Sequence, residues 1–121
     1  MRDFPDHYPA SCPPENAVGG HGIVFRIVRD ASIESSDFIS HYDAGTAKTA
    51  DECSRRGLSV FDSYEGARHR MNLSPHLGTR VAQGGLDARA GMISPPKPSS
   101  GHMTWWVYRD FDPVPLFTVA P

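Results

Sequence analysis

Two stretches of this sequence combine side chains that could do chemistry, and the first is an arginine inside an apolar run. Residues 23–28, IVFRIV, are β-prone except for Arg26, which indicates an inner strand of a sheet. A guanidinium in such a strand is costly unless it is paired or faces a polar cleft. Its planar donors suit a phosphate or a carboxylate. Arg26 is therefore expected either to bind an anionic ligand or to form a buried ion pair with Asp37 or Asp62.

The second stretch, GHMTWW at 101–106, contains a histidine, a threonine and both tryptophans. Strand side chains alternate between the two faces of a sheet, so Met103 and Trp105 are expected in the core. The opposite face would carry His102, Thr104, Trp106 and Tyr108. A row of rings with polar handles suits a half-covered cleft. The other interpretation is that a loop or the amino-terminal segment simply covers this row.

Two further predicted strands carry polar side chains that could belong to the same pocket. Ser59 interrupts the apolar stretch GLSVF, and Arg80 lies within TRVA. If both lie on the same side of the sheet as Arg26 and His102, they form a basic, aromatic pocket for an anionic ligand with a flat base. His102 would then be the acid–base group, because a histidine pKa lies near neutral pH. This convergence is an assumption, since the strand order cannot be read from the sequence.

The order of strand and helix patterns around these residues predicts an α+β domain over residues 22–121. It would contain a mixed, twisted sheet of about six strands and two or three short helices. The strands are expected at 23–28, 57–61, 79–82, 91–94, 102–108 and 115–119. Gly84 and Gly85 are expected to end the third of them. Helices are expected after Ser35 and after two capping-box patterns, Thr49 with Glu52 and Asp62 with Glu65. Residues 1–21 contain four prolines and are predicted to form an extended or disordered arm.

Composition excludes several classes of function. A formal net charge of −2 gives no broad surface for nucleic acid or membrane, although ten of the twelve cations are arginine and a local basic pocket is compatible with that total. No apolar run approaches the roughly 20 residues that span a bilayer. Neither a secretory h-region nor a metal-ligand motif is found, so we expect a cytoplasmic protein of bacterial style without a metal. Cys12 and Cys53 are expected to be free thiols in a reducing compartment.

The order of these motifs resembles the ADP-ribosyltransferase superfamily. The resemblance rests on the arginine-bearing strand VFRIV and on the strand–helix unit GLSVFDSYEGARHR, and it covers roughly residues 23–107. LGTRVA and GHMTWW are also similar to segments of a group of small bacterial proteins. The resemblance implies a split-sheet fold that binds NAD, with Arg26 on a phosphate, Ser59 near the nicotinamide ribose and Tyr64 stacked on the ring.

The chain departs from that superfamily in one respect. Its transferases usually have a late glutamate that stabilises the ribosyl transition state, whereas no glutamate follows Glu65 here. The chain also resembles the RNA 2′-phosphotransferase branch of the superfamily, in which a set of arginines and a histidine replaces that glutamate. This resemblance implies that Arg26, Arg80 and His102 take those parts. Asp87 or Asp110 would otherwise have to supply a carboxylate.

The sequence thus predicts a small enzyme acting on NAD or on a phosphorylated nucleotide, with no nucleic-acid partner except an RNA end. The predicted catalytic residues are His102, Arg26 and Arg80, and the predicted substrate-binding residues are Ser59, Tyr64, Thr104 and Trp106. The alternative is a non-catalytic binding or regulatory module, or a homodimer, that uses the His102/Trp106 face, because aromatic rings and arginine dominate interface hot spots. A third interpretation is a toxin or immunity-like protein whose NAD pocket has degenerated.

Overall fold

The fold is one antiparallel sheet with short helices packed on it. The structure is a computed structural model, and it describes residues 3–120. The strands are β1 (Val18–Gly19), β2 (Gly22–Val28), β3 (Leu58–Phe61), β4 (Arg80–Leu86), β5 (Gly91–Ile93), β6 (His102–Val107) and β7 (Phe117–Val119). The α-helices are α1 (His41–Ala44), α2 (Glu52–Arg56) and α3 (Tyr64–Leu73). Short 3₁₀ helices occur at Ser35–Phe38, Pro75–Leu77 and Val114–Leu116.

The seven strands lie in the order β1-β5-β6-β3-β2-β4-β7. Every neighbouring pair within residues 3–120 is antiparallel. The α+β class is therefore confirmed, as is the inner position of β2, whereas the predicted mixed sheet is wrong. Antiparallel strands need only a turn or loop between them, and parallel strands need a longer crossover. The prediction also missed β1, whose two residues pair with β5.

Each face of the sheet carries an apolar cluster, because successive side chains of a strand point to opposite faces. The larger core, on one face, includes Val24, Val28, Val60, Met103, Trp105 and Phe117. Trp105 is fully buried there, and its Nε1 donates to the carbonyl oxygen of Ala90 at 3.1 Å. A smaller core on the other face packs Phe61 and Val81 against Ala67 of α3. The expected core positions of Met103 and Trp105 are confirmed.

Local packing moves several predicted boundaries. Strand β4 continues through Gly84 and Gly85, because the ring of Phe117 lies against Gly84, where a Cβ would come within 2.9 Å of it. Helix α3 is capped by Ser63, whose hydroxyl accepts from the amide of Gly66. Asp62 therefore does not cap α3.

The other two predicted helix starts also shift. Asp51, and not Thr49, caps α2, since its carboxylate accepts from the amide of Ser54 at 3.0 Å. The segment after Ser35 divides into a 3₁₀ helix and α1. The second of these is capped by Ser40 and ends at Gly45.

The amino-terminal segment is joined to α2 by a disulfide between Cys12 and Cys53, whose Cα atoms are 5.4 Å apart. The hydroxyl of Tyr8 also donates to the carbonyl oxygen of Arg56 at 3.1 Å. The prediction of two free thiols is therefore wrong, because the segment folds back over a helix that is distant in sequence. The cytoplasmic location rested partly on those thiols, and the compartment itself stays a prediction.

The same segment contacts the turn that follows β6. The ring of Phe4 lies 4.9 Å from that of Tyr108, and Arg109 pairs with Asp3 and Asp6. Apart from β1, residues 3–21 form turns and extended chain that lie against the domain. The ends of the two predicted regions, residues 1–2 and 121, lie outside the described residues. None of the helices within residues 3–120 is long and apolar enough to cross a membrane.

Candidate functional site

The site begins where β2 and β3 separate. These strands pair at Phe25 and Phe61. Beyond that pair, the side chain of Arg26 on β2 spans the gap to β3. Its Nε donates to the carbonyl oxygen of Asp37 at 2.9 Å, and its Nη1 donates to the carbonyl oxygen of Ser59 at 2.7 Å. The predicted ion pair with a carboxylate is thus replaced by two hydrogen bonds to the backbone. Arg26 holds the 3₁₀ helix and β3 against β2.

Burial lowers the pKa of Arg26 to about 10, and the negative charge of Asp37 partly offsets this effect. The guanidinium therefore remains charged at neutral pH. Its carbon also lies 5.8 Å from the ring centre of Phe38, within the range of a cation–π contact. Arg26 is consequently a fixed positive charge at this opening.

A wide cleft of about 1590 Å³ lies beside the opening. One wall is α3, a second is the loop 96–101, and a third is formed by residues 36–47. Within the described residues, four cationic side chains line the cleft, namely Arg26, Arg29, Arg70 and Lys97. Three carboxylates also line it, those of Asp37, Asp62 and Glu65. Four cations against three carboxylates leave a small excess of positive charge. The carboxylate of Asp37 accepts from the backbone amides of Arg29 and Glu34.

On one side of the cleft, a serine and a histidine from neighbouring strands meet. Ser59 Oγ and His102 Nε2 are 3.0 Å apart. The antiparallel register explains the contact, because Phe61 lies opposite His102 and Ser59 opposite Thr104, which makes Ser59 and His102 diagonal neighbours on one face. Ser59 is exposed and His102 is half-buried. The pair is thus reachable from the cleft.

The surroundings of His102 favour its neutral form. Burial is the largest cause that lowers its pKa, and the positive charges of Lys97 and Arg70 lower it further. At neutral pH the imidazole therefore carries one proton, and in the tautomer with Nε2 unprotonated it accepts the hydroxyl proton of Ser59. This is the arrangement of a nucleophile beside a general base.

Lys97 is brought to His102 by a tight loop. The amide of Lys97 donates to the carbonyl oxygen of His102 at 3.0 Å. The amide of Gly101 donates to the carbonyl oxygen of Lys97 at 2.7 Å. Gly101 has a φ of 72°, and a Cβ there would overlap a carboxylate oxygen of Asp62. Only glycine fits this turn without displacing Asp62 or the loop.

We expect Gly101→Ala to lower the free energy of unfolding by about 2 kcal/mol or more, because left-handed backbone alone costs an alanine roughly 1–2 kcal/mol and the overlap with Asp62 adds to it. Urea unfolding measures the loss. The matched control is Gly22→Ala, since Gly22 has a φ of 74° but open space around its Cα. Equal losses in the two variants would show that Asp62 does not constrain the loop.

The structure brings some of the predicted site residues together and separates the others. Arg26, Ser59 and His102 line the cleft. Arg80 does not, because it lies opposite Val28, on the face of the sheet away from Ser59 and His102. The assumed convergence is therefore wrong for Arg80. Arg26 starts from that same far face and reaches Ser59 through the opening between β2 and β3.

The predicted substrate-binding rings are occupied by packing. Trp106 is 3% exposed, and its Nε1 donates to the carbonyl oxygen of Cys53 at 2.9 Å, so α2 covers it. Tyr64 packs against Phe25, and its hydroxyl accepts from Arg68. Neither ring lines the cleft. For Trp106 and Tyr108, the second interpretation of their face of β6 therefore fits the structure: other segments of the chain cover these rings, and they do not line a cleft.

Thr104 is likewise not among the residues that line the cleft. It is half-buried, and its methyl group lies so close to Gly57 that a Cβ at Gly57 would overlap it. The carboxylates proposed as substitutes for a late glutamate also lie elsewhere. Asp87 forms an ion pair with Arg89 in the turn after β4, and Asp110 is exposed outside the cleft.

Sequence reasoning missed Arg70 and Lys97. Arg70 lies in the basic run RHR of α3, and Lys97 is the only charge in the loop SPPKPSSG, which are weak signals because either position is usually solvent-exposed. Asp62 and Glu65, for which the sequence predicts a capping box, line the cleft. Within residues 3–120, no group of three or more His, Cys, Asp or Glu side chains is placed to hold a metal ion.

Comparison with known proteins leaves the family open. No protein-family model, no curated protein and no solved structure matches this chain.

Proposed function

We propose that the protein is a small enzyme that binds NAD or another phosphorylated nucleotide in the cleft between β3, α3 and the loop 96–101, on an ADP-ribosyltransferase-like split sheet. The observation that carries the proposal is the contact between Ser59 and His102 among three fixed or nearby cations. Arg26 donates to the backbone of Ser59, and Lys97 and Arg70 both act on the pKa of His102. Phosphate oxygens are the ligands that such a set of donors prefers.

The same cleft offers an apolar surface for a base. Ile27, Ile39, Leu73 and Leu77 line it, and Ile39 and Leu73 are 48% and 66% exposed. Large exposed aliphatic side chains beside a basic region fit a ligand with one flat and one anionic end. In this proposal they replace Trp106 and Tyr64 as the contacts of the base or nicotinamide.

A carboxylate for glycosyl chemistry is also available. Asp62 and Glu65 line the cleft, although neither occupies the late position typical of the transferases that the sequence resembles. A negative charge near the ribose would stabilise a developing oxocarbenium ion electrostatically. We therefore assign this role to Asp62 or Glu65, in place of Asp87 and Asp110.

The interaction-module alternative depended on an accessible aromatic face. That face is covered at Trp106 by α2 of the same chain and at Tyr108 by Phe4. An interface hot spot needs rings that a partner can bury. The enzyme is accordingly the function that the geometry favours.

Isothermal titration with NAD, ADP-ribose and AMP tests the proposal. Calorimetry suits this chain because both tryptophans are buried and neither lines the cleft. We expect saturable binding that weakens as salt is raised, and Lys97→Ala should weaken it about tenfold through loss of one charge-assisted contact. The control is Lys48→Ala, which removes an exposed lysine outside the cleft. Absence of binding to all three ligands, or equal weakening in both variants, would refute the proposal.

A further inference from the structure

The contact between Ser59 and His102 indicates a type of reaction. This inference rests on the proposed nucleotide cleft. We propose that Ser59 is a covalent nucleophile and that the cleft hydrolyses phosphate monoesters through a phosphoserine intermediate. Water is the second substrate, and a nucleoside monophosphate is the substrate class. Under this proposal the protein is a phosphomonoesterase that uses a serine–histidine pair.

The geometry meets the first requirement of nucleophilic catalysis. A hydroxyl becomes nucleophilic when a base within hydrogen-bond distance takes its proton, and the 3.0 Å between Ser59 Oγ and His102 Nε2 lies within that distance. Ser59 is exposed towards the cleft, so a substrate can approach its oxygen. Strand positions on a sheet also hold the two side chains more rigidly than a loop does.

The charges meet the second requirement, which is a place for the phosphoryl oxygens. Arg26 is fixed within one hydrogen bond of the backbone of Ser59, at 2.7 Å from its carbonyl oxygen. Lys97 and Arg70 lie near enough to His102 to act on its charge. Phosphoryl transfer depends mainly on positioning and on cations that stabilise the equatorial oxygens. These cations therefore favour attack at phosphorus over attack at an uncharged carbonyl.

The steps balance without any further reagent. As the bond from Ser59 Oγ to phosphorus forms, the hydroxyl proton passes to His102 Nε2 and the bond from phosphorus to the leaving oxygen breaks. The leaving oxygen takes that proton from the imidazolium and departs as an alcohol. A water molecule then attacks phosphorus while His102 Nε2 takes its proton, the bond to Ser59 breaks, and Ser59 recovers the proton. The products are the alcohol and inorganic phosphate.

Within residues 3–120, no carboxylate hydrogen-bonds to Nδ1 of His102, so the pair is a dyad and not a triad. A dyad lacks the group that orients and stabilises the imidazolium. Turnover slower than that of a triad enzyme is therefore expected, and slow second-step hydrolysis would let the phosphoserine accumulate.

The test uses p-nitrophenyl phosphate with the full chain and follows both released nitrophenol and the acid-quenched protein by mass spectrometry. We expect turnover by the wild type and one added phosphoryl group on the peptide that contains Ser59. Ser59→Ala should remove the adduct and lower turnover at least about a hundredfold, and His102→Gln should lower both. Ser32→Ala, which removes an exposed hydroxyl outside the cleft, should leave both unchanged.

The outcomes separate this inference from the proposed function. If AMP binds the wild type in the calorimeter but no adduct forms and turnover is the same in Ser59→Ala, the nucleophile is wrong and the nucleotide cleft stands. If no nucleotide binds and nothing is hydrolysed, both are wrong. Near-ultraviolet circular dichroism establishes that each variant is folded. Should Ser59→Ala be unfolded, His102→Gln decides, because its full activity would also refute the inference.

Discussion

Replacing Cys12 and Cys53 together by serine is expected to lower the free energy of unfolding by about 4 kcal/mol. The disulfide joins residues 41 positions apart, and a cross-link of that span removes a large share of the conformational freedom of the denatured chain. A loss of this size is comparable with the total stability of many small domains. Urea unfolding of the oxidised wild type and of the double variant measures it.

The same substitution should also weaken nucleotide binding, because the disulfide is attached to a wall of the cleft. Arg55 of α2 donates to the carbonyl oxygen of Thr46 at 3.2 Å, and the guanidinium of Arg56 lies 4.1 Å from the ring centre of Tyr42 in α1. Thr46 and its neighbours line the cleft. Loss of the tether therefore loosens the support of that wall.

A reducing agent provides the control for the disulfide. Dithiothreitol should lower the unfolding midpoint of the wild type to that of the double variant and leave the midpoint of the double variant unchanged. If the oxidised and reduced wild types unfold at the same urea concentration, the bond does not stabilise this fold, and the amino-terminal segment is held by its other contacts alone.

The longer strands could be predicted from the sequence, whereas the antiparallel pairing of the sheet and the disulfide could not. Strand β2 and strand β6 were predictable because alternation between buried and polar positions is a local property of the chain, as Met103 and Trp105 show. The pairing of Cys12 with Cys53 depends on a proline-rich segment folding back over α2. No local pattern encodes that return. The continuation of β4 through Gly84 could not be predicted for a related reason, since the ring that packs against Gly84 comes from β7.

The sequence could predict only those residues of the candidate site that stand out within a single strand. Arg26, Ser59 and His102 were identified because each is a polar residue in an apolar strand, and the structure brings all three to the cleft. Arg80 met the same criterion but does not line the cleft. It shares the face of Arg26, away from Ser59 and His102, and lies opposite Val28, a position set by the register between β2 and β4 that the sequence does not reveal. Lys97 reaches the site by a loop, and no alternation rule applies to it.

Arg26 should affect both folding and binding, and the structure lets the two effects be separated. We expect Arg26→Met to lower the free energy of unfolding by about 3 kcal/mol, since the carbonyl oxygens of Asp37 and Ser59 each lose a charged donor at a cost of about 1.5 kcal/mol. Methionine keeps an apolar side chain that can pack against Phe38. Urea unfolding measures the loss, and an Arg26→Met variant as stable as the wild type would contradict the bridging role.

Arg26→Lys is the variant that isolates the phosphate role. A lysine keeps the positive charge, but its compact ammonium lacks the planar fork that spans two carbonyl oxygens, so about half of the stability loss should remain. If Arg26 holds a phosphate, the folded lysine variant should bind AMP several-fold more weakly than the wild type but more tightly than Arg26→Met. Calorimetry under conditions where both variants are folded makes that comparison. If all three proteins bind AMP equally, Arg26 only joins β2 to β3 and the 3₁₀ helix, and the phosphate must be held by Lys97 and Arg70.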